Sequence, residues 1–252
     1  MITLNIPHAS LYIPQDIHFL IPQNEVKQEA LLMADLYTDE LFEDSLYIDV
    51  VKADVSRIVV DTERFTDDKK ETASQYGMGV IYTKTHNDII LKQTPSSAEK
   101  NHLLEKFYYP HHRRLSESVV KNLSLFNRAL IIDLHSYPSN VDIMGIGNKA
   151  SPDICIGFEP FHCDKIILDR IISFCNKNHF SFEFNNPFSG SIVPLQYYRK
   201  NNKVKSFMLE IKRSLYMDEQ TYAKNKNFDL IKKEISILLQ DLYKTFYGYP
   251  ND

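Results

Sequence analysis

The strongest constraint on this chain is a series of short apolar runs that end abruptly in chemically active side chains. The clearest is ALIIDLHSYPS (129–139), where a hydrophobic stretch gives way to Asp133, His135, Ser136 and Tyr137. Comparable runs are ITLNI (2–6), LYIDVV (46–51), RIVVD (57–61), GVIYT (79–83), DICIGF (153–158), FSFEF (180–184) and SFMLEI (206–211). Their length and β-branched content suit buried strands. The segments between them carry apolar residues at helical spacing: Val26, Ala30, Met33, Tyr37 and Leu41 within 25–43, and Leu103, Leu104, Phe107, His111, Leu115 and Val119 within 98–122. The pattern continues over 164–177, and Phe228, Ile231, Ile235, Leu238, Leu242 and Phe246 form the clearest stripe, within 227–246. Pro110 predicts a kink in the second helix, because it lacks the N–H that a helix interior needs. Strands alternating with helices predict an α/β fold, a three-layer sandwich around a mixed, largely parallel sheet. No repeat, low-complexity tract or Gly/Ser linker interrupts the pattern, so 1–252 is expected to be a single domain.

A chain of 252 residues can bury one large core, and its 43% apolar and 25% charged content is ordinary for a globular protein. The net charge of −4, with basic residues spread along the chain, argues against nucleic-acid and membrane partners. The amino-terminal MITLNIPHAS has neither the basic nor the long apolar region of a secretion signal. The three cysteines, Cys155, Cys163 and Cys175, form no CxxC pair. Together these features predict a cytoplasmic protein with reduced thiols.

Ligands of open α/β sheets bind beyond the carboxyl ends of the strands. There this sequence places His8 after ITLNI, Asp61, Glu63 and Arg64 after RIVV, His135 after ALII, and Glu210 and Arg213 after SFML. Two histidines and a carboxylate, with one position open to water, are the ligands of a mononuclear zinc site. A nearby glutamate suits a general base, and arginine forks suit substrate carboxylates. Taken singly, each residue has a plainer reading as a loop histidine, a surface cation or half of an ion pair; only their joint placement points to chemistry. Other patterns are poorer candidates. GIG (145–147) lacks the third glycine of a dinucleotide loop, no GxSxG elbow is present, and adjacent helical positions splay the two histidines of YYPHHRRL (108–115) apart.

IPHAS..IP (6–14), AD..TDELF (34–42), SRIVVDTER (56–64), YYPHHRRL, IIDLHSYPS, NNPFSGSIV (185–193) and MLEIKRSLYMDE (208–219) occur in an order and spacing that resembles the N-formylglutamate amidohydrolase family. The resemblance spans nearly the whole chain. It implies a fold similar to zinc exopeptidases (phosphorylase/hydrolase-like) and to the aspartoacylase and succinylglutamate desuccinylase group, with one Zn²⁺ or other divalent ion. By the same resemblance His8 and His135 are metal ligands and Glu210 is the general base. Arg57, Arg64 and Arg213 match positions expected to hold substrate carboxylates, with Arg57 also a candidate to steady the oxyanion. Asn185, Ser189, Gly190 and Ser191 fall in a segment that resembles a substrate cover. A carboxypeptidase-type pattern would put a glutamate three residues after the first histidine, where this chain has Leu11. Asp35 is therefore the expected third ligand, with Asp39 and Asp61 as alternatives. Glu63 stands where the family pattern has asparagine, and so bears on specificity. The activity implied is metal-dependent hydrolysis of an N-acyl acidic amino acid such as N-formylglutamate. The alternatives are another N-acyl amino acid or small peptide on the same scaffold, or a binding protein that has lost the metal.

Overall fold

The computed structural model describes residues 1–144 and 151–248; GIG (145–147) lies outside them. The chain forms two compact units, one of Met1–Ile6, Tyr37–Val51 and Leu115–Asp252, the other of Pro7–Leu36 and Lys52–Arg114.

The first unit is built on a six-stranded sheet of β1 (Ile2–Ile6), β2 (Ile48–Lys52), β3 (Ala129–Tyr137), β4 (Ile154–Gly157), β5 (Phe182–Phe184) and β6 (Val204–Lys212), in the order β2-β1-β3-β6-β4-β5. The pairs β1–β3, β3–β6 and β4–β5 are parallel and β4–β6 is antiparallel, giving the mixed, mostly parallel sheet expected, with helices flanking it. β3 is central and buried at every position, as a strand covered on both faces must be. It runs on to Tyr137, so His135 sits within the strand rather than in the loop after it. The extra length is held by the pairings His135–Glu210, Ser136–Ile211 and Tyr137–Lys212 with β6.

Alternate residues of a strand share a face. Ala129 and Ile131 pack with Val204, Leu115, Val119 and Val193 in one apolar cluster. Asp133 and His135 continue that same face toward the carboxyl end. One side of the sheet is therefore apolar where it packs against helix and loop, and polar where the strands end.

Helix α4 (Lys165–Lys177) and helix α5 (Phe228–Tyr247) belong wholly to this unit and pack on each other. The stripe predicted on α5 is buried throughout, from Phe228 to Phe246. No described helix is long and apolar enough to cross a membrane.

The second unit departs most from expectation. Helix α1 (Gln23–Met33) stops well before residue 43. Ala34 is extended, Tyr37 takes a positive φ of 65°, and the Asp35 N–H bonds to the His8 carbonyl at 3.0 Å. Tyr37 and Leu41, which belong to the sheet unit, lie outside the helix, Tyr37 half-buried and Leu41 buried. The second helical segment runs unbroken from α2 (Ser97–Leu103) to α3 (Tyr109–Phe126), but residues Leu104–Tyr108 form a π turn. It precedes Pro110, whose missing N–H frees a carbonyl of the preceding turn, and the Tyr109 N–H reaches back to Leu104.

RIVVD and GVIYT are not strands. The N–H groups of Val59 and Val60 both turn back to the Ser56 carbonyl, and one backbone bond, Asp61 N–H to Val80 O at 2.9 Å, joins the two segments. Ile58, Val59 and Val60 are all buried, and a turn wound into a core buries consecutive residues as well as a strand does.

This unit also buries Lys92, whose Nζ donates to the Ile58 carbonyl at 3.0 Å beside the Phe19 ring. Burial pushes its ammonium down from 10.5 to about 7. Between those values the unfolded chain binds the extra proton, so the free energy of unfolding rises with pH, by at most about 1.4 kcal/mol per unit. Below about 7 both states are protonated and the cost of burying the cation is present in full. Urea denaturation at pH 7 and 9 should show the wild type gaining stability relative to Lys92→Met; parallel pH profiles would refute a buried, titrating amine.

Candidate functional site

In the sheet unit, β3 and β6 set Asp133, His135 and Glu210 side by side on one face. His135 and Glu210 are register partners on adjacent parallel strands and both are buried. Register partners face the same side, so a candidate ligand and a candidate base stand one strand spacing, about 4.8 Å, apart at their backbones. Asp133 shares that face and places Oδ1 3.1 Å from His135 Nε2. Asn5 on β1 donates to the same Oδ1 at 2.8 Å, and the Ile192 N–H donates to Oδ2 at 3.1 Å. Asp133 therefore links the strand carrying His135 to the segment 185–193. Arg213, in the turn that follows β6, is buried and donates from Nε to Ser136 Oγ at 3.3 Å.

The segment NNPFSGSIV lies over this face. The Cys155 thiol donates to the Phe188 carbonyl at 3.3 Å, Phe188 packs edge-on against Tyr137, and Ser206 Oγ donates to the Ile192 carbonyl at 2.7 Å. Asn185 accepts at Oδ1 from the Phe158 and Gly190 N–H groups, so its side chain holds the loop's own shape. Gly190 has φ +80°, a conformation other residues reach only with strain, and a Cβ there would meet open space. Ser189 is exposed. Ser191 Oγ is buried and meets no hydrogen-bonding partner among the described residues.

In the second unit, His8 lies between two carboxylates. Its Nε2 is 2.8 Å from Asp61 Oδ1 and its Nδ1 is 3.5 Å from Asp35 Oδ2. Asp61 is saturated: Oδ1 also takes the Glu63 N–H at 3.0 Å, and Oδ2 takes Arg57 Nε at 3.1 Å, Arg57 Nη2 at 2.9 Å and the Tyr82 hydroxyl at 3.1 Å. Burial alone would raise the Asp61 carboxyl pKa, but Arg57 and His8 beside it hold it well below the usual carboxylate range. Burial and Arg57 also oppose charge on His8; Asp61 and Asp35 outweigh them and raise its pKa.

The turn over 56–60 makes this network possible. In a strand, residues 57 and 61 would be about 13 Å apart. Arg64 is partly exposed, 3.6 Å from Asp61 and 3.7 Å from Glu71 Oε1. Tyr82 is absent from the sequence reading, which had no local signal for a phenol in an apolar run. His112 is accounted for by its bond to the Thr62 carbonyl at 2.8 Å.

His8 and Asp35 are buried in the second unit and His135 is buried in the sheet unit, and all three are donor types that metal sites use. The His8–Asp35 pair tests the fit within one unit. Two ligands on a tetrahedral ion with bonds of ~2.0–2.1 Å lie roughly 3.4 Å apart, close to the spacing of Nδ1 and Oδ2. The carboxylate on the opposite ring nitrogen is the usual outer partner of a ligating histidine. Asp61, an alternative ligand by sequence, is taken up by that role, while Asp39 is half-buried.

The comparisons with known proteins agree with one another. A family model described as N-formylglutamate amidohydrolase matches residues 2–217. The N-formylglutamate deformylase of Pseudomonas putida is 26% identical over 222 residues, covering 86% of this chain and 81% of the relative. That of Pseudomonas aeruginosa is 29% identical over 187 residues, covering 71% and 68%. The crystal structure of N-formylglutamate amidohydrolase from Ralstonia eutropha superposes with a TM-score of 0.86 at 21% identity, covering 96% of this chain and 92% of the other. A gene product of Agrobacterium tumefaciens, Atu2144, shares the fold with a TM-score of 0.68 at 18% identity, covering 97% and 90%. A match that runs from β1 through β6 and into the segment beyond it settles the family: the chain is an amidohydrolase of the N-formylglutamate amidohydrolase family.

Proposed function

We propose that this chain hydrolyses the amide of N-formylglutamate with the help of one divalent ion, Zn²⁺ by preference, held by His8, Asp35 and His135. The observation that carries the reading is the His8 pair: Nδ1 at ligand spacing from a buried Asp35 carboxylate, with Nε2 anchored on Asp61. The family match supplies the reaction class and the relatives' names supply the substrate. In this reading residues 1–252 act as one functional domain with a zinc-exopeptidase-like fold. An ion bound there supplies Lewis acidity, polarising a carbonyl and making a water easier to deprotonate.

The remaining chemistry belongs to side chains. Glu210 takes a proton from the attacking water as the new C–O bond forms at the formyl carbon. It returns that proton to the nitrogen as the C–N bond breaks, so formate and glutamate leave and the carboxylate is regenerated. Arg64 and Arg213 bind the two substrate carboxylates, their forks suited to paired hydrogen bonds. Arg57, whose Nε and Nη2 are both on Asp61, is better placed to position His8 than to touch an oxyanion. Ser191, with its buried hydroxyl, is the residue of the covering segment best suited to meet substrate, with Ser189 and the Gly190 backbone beside it. Asn185 shapes the segment.

A panel of formyl-, acetyl- and succinyl-amino acids tests the reading. We expect the highest kcat/KM for N-formyl-L-glutamate and a large loss with N-formyl-leucine, which lacks the side-chain carboxylate. Glu63, an acid beside Arg64 in sequence, favours the second reading, a different N-acyl amino acid; a preference for another acyl group or a neutral side chain would select it. No hydrolysis of any member by the zinc-loaded protein would overturn both.

A further inference from the structure

Beyond the ligand set lies the question of what fixes the ring of His8. An imidazole binds a metal through one nitrogen only if the proton sits on the other, and the hydrogen bond made by that other nitrogen sets the choice. Here a network of four residues makes it. Asp61 Oδ2 receives three donors, two from Arg57 and one from Tyr82, all within 3.1 Å. A carboxylate gripped in this way has Oδ2 fully engaged as an acceptor, because a proton on Oδ2 would face three N–H or O–H groups. Its other oxygen, Oδ1, can then only accept. It accepts from the Glu63 N–H at 3.0 Å, which fixes its position, and faces His8 Nε2 at 2.8 Å.

We propose that Asp61, locked by Arg57 and Tyr82, is a positioning residue that keeps the proton of His8 on Nε2 and so leaves the Nδ1 lone pair for the ion. The proposal rests on the metal-centre reading for its purpose, but its structural content, a proton on Nε2, holds with or without metal. It also explains why an arginine is buried beside a candidate metal ligand, where a cation would otherwise only oppose the ion. Arg57 spends its charge on Asp61, and the pair presents His8 with a directed acceptor.

Asp61→Asn makes the decisive comparison. An amide in this place cannot satisfy both sides with acceptors. Turning its oxygen toward the Arg57 and Tyr82 donors presents its NH₂ to His8, which must then accept at Nε2 and carry its proton on Nδ1. The shape of the side chain is kept while the tautomer is reversed.

Long-range ¹H–¹⁵N NMR of the full chain with ¹⁵N-labelled histidine, the His8 signals assigned by their loss in His8→Gln, reads the ring directly. In the wild type we expect a proton on Nε2 in both metal-free and zinc-loaded protein, with the zinc-induced shift at Nδ1. In Asp61→Asn we expect the proton on Nδ1 and Zn²⁺ binding weakened 10- to 100-fold, measured by chelator competition. Zinc bound at Nε2, or an unprotonated Nε2 in the wild type, overturns the proposal without any variant, so misfolding of Asp61→Asn cannot shelter it. Unchanged tautomer and affinity in a folded Asp61→Asn overturn it as well. A wild type that retains the Nε2 proton but binds no Zn²⁺ supports the role of Asp61 and refutes the metal centre instead.

Discussion

Glu210→Gln is expected to keep its full zinc content and lose roughly 10²- to 10⁴-fold in kcat, the span covered by a well-placed general base. The substitution preserves side-chain volume and the ability to accept a hydrogen bond, but glutamine cannot take a proton at neutral pH. The sheet offers one acid for the proposed base role. Glu210 is buried on β6 as the register partner of His135, with Cys155 opposite it on β4 and no other acid in that row until Glu183 on β5. Glu183 is exposed on the outermost strand, so Glu183→Gln provides a matched control that should leave turnover unchanged. KM should move little in Glu210→Gln, because in the proposed role the residue acts on the water and the leaving nitrogen rather than on the substrate carboxylates. Loss of zinc in Glu210→Gln would mark the residue as a ligand. Undiminished turnover would remove it from the mechanism.

How far such roles can be read from sequence depends on whether their signal is local. His135 and Glu210 stand out because each interrupts an apolar run with a polar side chain, and the central strands that carry them are buried along most of their length. Their pairing across β3 and β6 is not legible, since register comes from the sheet as a whole and a slip of one residue would send every side chain to the opposite face. The same local signal misleads at RIVVD. Five residues of strand-like composition fold as a turn, and only there do Arg57 and Asp61 meet. An apolar run of this length reports burial, and the hydrogen-bond pattern that separates strand from turn is set by distant partners such as Val80. Asp61 therefore read as a possible ligand when its oxygens are already committed. Tyr82 gave no sign at all, because a buried phenol in an apolar run looks like core until its hydroxyl finds an acid.

Asp35→Ala should abolish tight Zn²⁺ binding and, with it, turnover, whereas Asp39→Ala should retain both. The argument begins at the end of α1. The chain leaves the helix at Met33, extends through Ala34, and ties the Asp35 N–H to the His8 carbonyl at 3.0 Å. That backbone bond fixes the two loops to each other before any side chain is considered, and it brings Asp35 Oδ2 to 3.5 Å from His8 Nδ1. With the His8 proton on Nε2, a lone pair and an anionic oxygen face each other at that distance in a buried setting. The arrangement is repulsive unless a proton or a cation lies between them, and the proposed divalent ion would supply that cation. Removing the carboxylate leaves two neutral imidazoles to hold a dication away from water. The loss in affinity should therefore exceed the 10- to 100-fold typical of outer-shell changes. Metal analysis after dialysis, with chelator competition on both variants, separates the two acids. Zinc retained by Asp35→Ala and lost from Asp39→Ala would move the third ligand from one acid to the other and leave Asp35 as a partner of His8 alone.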